Sequence, residues 1–156
     1  TTRPQHKKVL DYIAVGQQEG ATIALGGKRA EVEGSRSGLF VQPSIFTGVS
    51  NRMRIAQEEI FGPVLSIIPF KDEDEAVAIA NDTIYGLAAG VWTQSIRRAI
   101  NVSNNVRAGT VWVNCYDKSS PVTPFGGFKQ SGFGRDRSPH AVDKYMDYKT
   151  IWTVYK

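Results

Sequence analysis

The fold is decided by the stretch VLSIIPFKDEDEAVAIANDTIYGLAAGVWTQSIRRAINVSNNVRAGTVWVN, residues 64–114. Residues 64–70 form a nearly continuous apolar run, the pattern of a strand covered on both faces. In DEDEAVAIAND, Asp72 and Glu75 have capping-box spacing, and Ala76, Ile79 and Ala80 share a helical face. The acids of that first turn also suit the positive end of the helix dipole. AAGVWT (88–93) predicts a second strand. SIRRAINVSNNV (95–106) predicts a second helix, with Ile96, Ala99, Ile100 and Ser103 along one side, and TVWVN (110–114) a third strand. Strand and helix alternate as β-α-β-α-β, which implies an α/β fold with parallel strands joined by right-handed crossovers and helices on the sheet faces.

Outward from this core, a first helix is expected from Pro4 to Gln18, capped by Thr2, ended by Gly20, with Val9, Leu10, Ile13 and Ala14 as its apolar stripe. ATIAL (21–25) reads as a short strand, and GLFVQPSIFTGV (38–49) as extended chain interrupted by Pro43. After the third strand comes a loop from Cys115 to about Arg135, rich in proline, aromatics and glycine. It leaves the carboxyl end of a strand, where ligands collect in open α/β sheets, and its length marks a functional loop. RSPHAVDKYMDY (137–148) predicts a short helix with Ser138 as cap and Pro139 in its first turn. KTIWTVYK (149–156) alternates as a terminal strand that needs pairing or cover.

Composition narrows the class. The chain has 156 residues, 41% hydrophobic and 22% charged, with a formal net charge of +4. Its basic residues are scattered as Lys7 and Lys8, Lys28 and Arg29, Arg97 and Arg98, so the charge describes a solvated surface and no nucleic-acid partner is expected. No apolar run approaches the roughly 18 residues that span a bilayer, so no membrane partner is expected either. One cysteine excludes an internal disulfide framework and any multi-cysteine metal site, and makes a reducing, cytoplasmic setting the default. The amino terminus has no start methionine and no signal-peptide layout, so the chain is expected to be part of a longer polypeptide.

Two stretches could carry chemistry. Cys115 would need a base or an electropositive setting to act as a nucleophile. Its neighbours Asn114, Tyr116 and Asp117 supply neither, and His6 and His140 lie far off in sequence. In QEEIFGP (57–63), two carboxylates and an aromatic precede a Gly-Pro break. They could be a general acid and base, a helix end, or a ligand clamp in which a carboxylate accepts sugar hydroxyls while the ring packs on a flat heterocycle. Spacing leaves all three open. The glycines of GFGRDR (132–137) lack the third glycine of a dinucleotide fingerprint, and no phosphate-loop motif occurs.

EEIFGPV (58–64), NDTIYGLAAGVWT (81–93), AGTVWVNCYD (108–117) and TPFGGFKQSGFGRD (123–136) together resemble the aldehyde dehydrogenase superfamily. The resemblance is to the carboxyl-terminal portion of that family. It implies that residues 1–146 are the later part of the catalytic domain and that 147–156 are a strand of an oligomerisation sheet, making a homo-oligomer, dimer or tetramer. It implies NAD or NADP as cofactor and a small-molecule aldehyde as substrate, oxidised to the acid. The nucleophilic cysteine, general-base glutamate and nucleotide-binding domain are then expected outside this chain, which by itself should be inactive. Glu59 matches the glutamate that hydrogen-bonds the nicotinamide ribose, and Phe61 the aromatic flanking the nicotinamide. Phe125 matches a residue lining the substrate tunnel; Cys115, Asp117 and Ser119 fall on the loop at its mouth. The resemblance implies that both groups share one cleft, and it assigns no catalytic residue and no metal here. The tail is most similar to members acting on aminoaldehydes, such as γ-glutamyl-γ-aminobutyraldehyde dehydrogenases. Lys118 stands where many relatives carry an aromatic or an acid, and would repel a free ammonium and tolerate a carboxylate. The alternative is a non-catalytic truncated homologue that serves as an oligomerisation or interaction module.

Overall fold

The computed structural model describes residues 2–35 and 38–156. The chain divides into two compact units, Thr1–Asp72 and Glu73–Lys156.

In the first unit, α1 (Arg3–Gln18) begins at Thr2, whose hydroxyl accepts from the Gln5 amide at 3.3 Å, and has proline in its first turn. It ends at Glu19, with Gly20 in the left-handed region at φ +97°. The helix buries Val9, Ile13 and Gly16, whereas Ala14 is exposed. Gly16 continues the face of Val9 and Ile13, where a Cβ would come within 2.9 Å of Ile55 Cδ1, and Ala14 is rotated about 100° away from Ile13. Strands β1 (Thr22–Leu25), β2 (Ser44–Thr47) and β3 (Val64–Ser66) form one sheet in that order, β1–β2 antiparallel and β2–β3 parallel. The expected strand over 64–70 is short because β2 turns away at Gly48 (φ +66°), after one more bond from the Ile67 amide to Phe46 O at 2.9 Å. A single-turn helix, α2 (Arg54–Gln57), lies between β2 and β3. Phe46, fully buried, centres a core with Val9, Ile13, Val49, Ile55 and Ile60. Burying a side chain of that size contributes about 1.5–3 kcal/mol.

The second unit carries α3 (Glu73–Asn81), β4 (Ala88–Val91), α4 (Ile96–Asn105) and β5 (Thr110–Val113). β4 and β5 pair in parallel, Ala88 opposite Thr110 and Val91 opposite Val113. Ser95 caps α4 by accepting from the Arg98 amide at 3.3 Å. The contact between the two helices is polar. The Glu73 carboxylate accepts from Arg98 Nε at 3.0 Å and from the Asn101 side-chain amide. Asn81 Nδ2 donates to Asn105 O at 2.8 Å. These partners explain why the apolar side expected on α4 is only partly buried: Ala99 is enclosed, but Ile96 is 75% and Ile100 55% exposed.

The α/β class with parallel strands is what the chain forms. Its β-α-β-α-β alternation is distributed over two sheets, one closed by β3 through β2 and one formed by β4 and β5. Beyond β5 the long loop is ordered by an isolated bridge and two 3-10 turns, Lys129–Ser131 and Pro139–Tyr145. Ser138 does not cap the second turn as expected. Its amide is drawn to Pro121 O at 2.8 Å, its φ is +59°, and its buried hydroxyl has no partner among the described residues. Residues 147–156 form no regular element within the chain, and Tyr148 and Trp152 are 94% and 90% exposed.

Candidate functional site

Residues 58–62 run along one face of α1 and are held there by side chains spread over about two of its turns. Gln5 Nε2 donates to Ile60 O at 3.0 Å and to Phe61 O at 2.9 Å. Lys8 Nζ donates to Glu59 O at 2.8 Å, and the Tyr12 hydroxyl to Glu58 Oε2 at 2.6 Å. Gly62 lies against Val9, where a Cβ would come within 2.5 Å of Val9 Cγ2. Positions 5, 8, 9 and 12 share one helical face. At the end of the same helix, Glu19 Oε2 accepts from the Arg54 amide at 2.8 Å and so supplies the cap that α2 lacks in its own sequence.

The two adjacent glutamates have different environments. Arg54 grips Glu58 with Nε and Nη2, both at 3.0 Å. With the Tyr12 hydroxyl this pulls the Glu58 carboxyl down to about 2. Donating to that anion raises the Tyr12 hydroxyl above its ordinary value. A carboxylate held so firmly ionised does not pass protons near neutrality, so Glu58 is the helix end: it caps α2. Glu59 is exposed, and its carboxylate has no hydrogen bond or ion pair among the described residues. Phe61 is 77% exposed and sits in the left-handed region at φ +57°. That conformation costs a phenylalanine about 1–2 kcal/mol, and the two bonds from Gln5 offset it. An acceptor carboxylate and an open ring face, both on a restrained segment, fit the ligand-clamp option.

The second unit holds the other candidates. Asn114 ends β5 at φ +53°, and its side chain extends the ladder, accepting from Thr93 N at 2.8 Å and donating to Thr93 O at 2.9 Å. Cys115 follows, half-buried, with exposed Asp117 (φ +54°) and exposed Ser119 on the same turn. Trp112 Nε1 donates to Lys118 O at 2.7 Å and fixes the loop over β5. Cys115 has no hydrogen bond or ion pair to a histidine, lysine or arginine among the described residues. Further along, Phe125 exchanges both backbone bonds with Asp136, at 2.8 and 2.7 Å. The Arg137 guanidinium lies 5.2 Å from its ring centroid, and Lys144 pairs with the Asp136 carboxylate. Phe125 and Arg135 border a cleft of about 200 Å³. Gly109 lets the loop pack: its Cβ would fall 1.6 Å from Gly126 O, and the Gly86 carbonyl accepts from both Gly109 and Phe128 amides.

Glu59 and Phe61 thus stand together in the first unit, and Cys115, Asp117, Ser119 and Phe125 in one loop of the second. The residues that sequence reasoning missed are Gln5, Lys8 and Tyr12. Their signal was available: they share the helical face of Val9, a polar continuation of the stripe. Among the described residues no cluster of three or more His, Cys, Asp or Glu could hold a metal ion, and no helix is long and apolar enough to cross a membrane.

The family model described as "Aldehyde dehydrogenase family" matches residues 1–151. A betaine aldehyde dehydrogenase of Mesorhizobium japonicum is 49% identical over 151 residues, 97% of this chain and 31% of the relative. The solved aldehyde dehydrogenase KauB from Pseudomonas aeruginosa superposes with a TM-score of 0.91 at 54% identity, over 97% of this chain and 30% of that one. An aldehyde dehydrogenase from Bacillus cereus, solved as its NAD+ complex, gives a TM-score of 0.91 at 46% identity over 99% and 31%. The chain therefore spans about a third of the length of the relatives it matches.

Proposed function

The chain belongs to the aldehyde dehydrogenase family, and on that premise we propose that it forms part of the wall of an active-site cleft in an enzyme oxidising an aldehyde to its acid with NAD+ or NADP+. The observation that carries this is the pairing of an uncommitted acceptor, Glu59, with an exposed ring, Phe61, on a segment restrained by α1. The residues fit the cofactor. A carboxylate without partners among the described residues can accept hydrogen bonds from ribose hydroxyls, and an open aromatic face can pack on a nicotinamide. When bound, the dinucleotide would supply the hydride acceptor for the substrate carbon. Glu59 and Phe61 hold the geometry for that step; neither moves a proton.

Phe125, Cys115, Asp117 and Ser119 line and rim the substrate path in this proposal, and the reactive thiol is supplied by polypeptide outside this chain. That no histidine, lysine or arginine bonds Cys115 among the described residues supports that division. An aminoaldehyde is the substrate class the tail favours. Lys118, exposed on the loop, favours one whose amine is masked, as in a γ-glutamyl amide, over a free ammonium. Residues 147–156 provide an edge for a homo-oligomer. Their exposed aromatic and aliphatic side chains, with no ladder inside the chain, support this. A cytoplasmic setting completes the proposal and rests on the single free cysteine.

The test is Glu59→Gln in the complete enzyme. Hydride transfer should slow on the order of 10-fold or more, while the acylation burst stays near its original size. Equal loss in both steps, or none in either, refutes the positional role.

A further inference from the structure

We propose that Tyr12 is a positioning residue for the cofactor-side pair: by holding the Glu58 carboxylate it directs Glu59 and Phe61 toward the dinucleotide. This rests on the preceding proposal that Glu59 and Phe61 face NAD(P)+.

Glu58 has extended backbone, φ −105° and ψ 146°. Successive side chains on an extended chain point to opposite sides. Fixing the Glu58 carboxylate on the α1 side therefore sends the Glu59 carboxylate the other way, away from the protein. The anchor for Glu58 is asymmetric. Arg54 is its i−4 neighbour on the same short turn, with half of its side chain in solvent. Its two bonds hold the carboxylate, but they come from the segment's own chain four residues earlier and do not tie it to α1. Tyr12 comes from 46 residues away, is half-buried, and packs against the core cluster of Phe46 and Ile55. Its 2.6 Å bond to the ionised carboxylate is charge-assisted, as the two Arg54 bonds are, and it comes from α1.

The Tyr12 ring also organises the cations around it. Lys8 Nζ lies 5.6 Å and the Arg54 guanidinium 5.5 Å from the ring centroid. Lys8 in turn donates to the backbone of Glu59. One aromatic side chain thus fixes the carboxylate before Glu59 and the cation that holds Glu59's own carbonyl. Without the hydroxyl, Glu58 keeps only its local partner Arg54, and no hydrogen bond from α1 to its carboxylate remains among the described residues, while Gln5 and Lys8 still hold the backbone of residues 59–61.

The experiment measures NAD+ dissociation constants by calorimetry on the complete enzyme, without aldehyde, for Tyr12→Phe, Glu58→Gln and the double variant, with melting temperatures alongside. Phenylalanine keeps the ring and both cation contacts and removes only the hydroxyl. Tyr12→Phe should weaken NAD+ binding roughly 5-fold. In the Glu58→Gln background the same change should add only about 2-fold, because the uncharged amide oxygen accepts a weaker bond from the hydroxyl. An unchanged constant in the folded Tyr12→Phe enzyme, with only a lower melting temperature, overturns the proposal. So does a full, multiplicative effect in the Glu58→Gln background. Should Tyr12→Phe not yield folded enzyme, Glu58→Gln alone carries the same expectation and refutation. Glu59→Gln, measured in parallel, separates the two levels. If it leaves NAD+ binding and hydride transfer untouched, the cofactor-facing reading has failed; if it impairs them while Tyr12→Phe does not, only the role of Tyr12 has failed.

Discussion

Gly109→Ala in the complete enzyme should displace the loop that carries Phe125. A Cβ at Gly109 would lie 1.6 Å from Gly126 O, 2.8 Å from its carbonyl carbon and 3.3 Å from Gly127 Cα. Ordinary carbon–oxygen contacts start near 3.3 Å, so one of the two backbones must retreat by roughly 1.7 Å. Neither can do so freely. Gly109 opens β5 and donates to Gly86 O at 3.1 Å, and the same carbonyl accepts from Phe128 at 2.9 Å. Overpacking of this kind costs about 3 kcal/mol or more when backbone must move, so the melting temperature should fall by several degrees. Phe125 immediately precedes Gly126 and would move with it. A displacement above ~1 Å at a substrate-lining residue is sufficient for on the order of a 10²-fold loss in kcat/KM for the aldehyde. Calorimetric NAD+ affinity should stay constant, because the bonds that hold Glu59 and Phe61 come from Gln5 and Lys8. Unaltered stability together with unaltered kcat/KM would falsify the reasoning. A lower melting temperature with unaltered aldehyde kinetics would keep the packing account and remove Phe125 from the substrate path.

Gln5→Leu removes both donors that hold Ile60 O and Phe61 O. Their net worth, about 1–3 kcal/mol for two bonds, is comparable with the strain at Phe61, so the ring should relax out of its left-handed conformation and NAD+ affinity fall about 5-fold; equal calorimetric constants for variant and parent would contradict this. The Glu58 carboxyl is held at about 2 against an ordinary 4.5. Its contribution is therefore present above pH 4.5 and is lost as pH falls from there toward 2. Solvent screening of this exposed pair reduces its size. Acid-unfolding curves of Glu58→Gln should be flatter than the parent's across that window, and parallel curves would show that the pairing contributes nothing to folding.

Much of this fold was legible locally. Thr2 and Gly20 mark the ends of α1, and Ser95 the start of α4, because caps and left-handed stops depend on residues within a few positions. The alternation around 88–113 yields a parallel pair because a strand–helix–strand connection of that length allows it. Ser138 shows the limit: a tertiary bond to Pro121 overrides the cap that its position before proline favours.

The sequence by itself determined α1, the alternating elements over 73–113, the α/β class and the family, since each depends on spacing within short windows or on four ordered motifs. It did not determine that β3 pairs with β2, because strand order along the chain leaves the lateral neighbour open. Nor could it tell Glu58 from Glu59. Identical and adjacent, they differ only in what faces them: alternation of the extended chain turns one toward Tyr12 and Arg54 and the other to solvent. That distinction comes from a helix some 46 residues earlier in the chain, and it separates the residue that secures the segment from the one left available to a ligand.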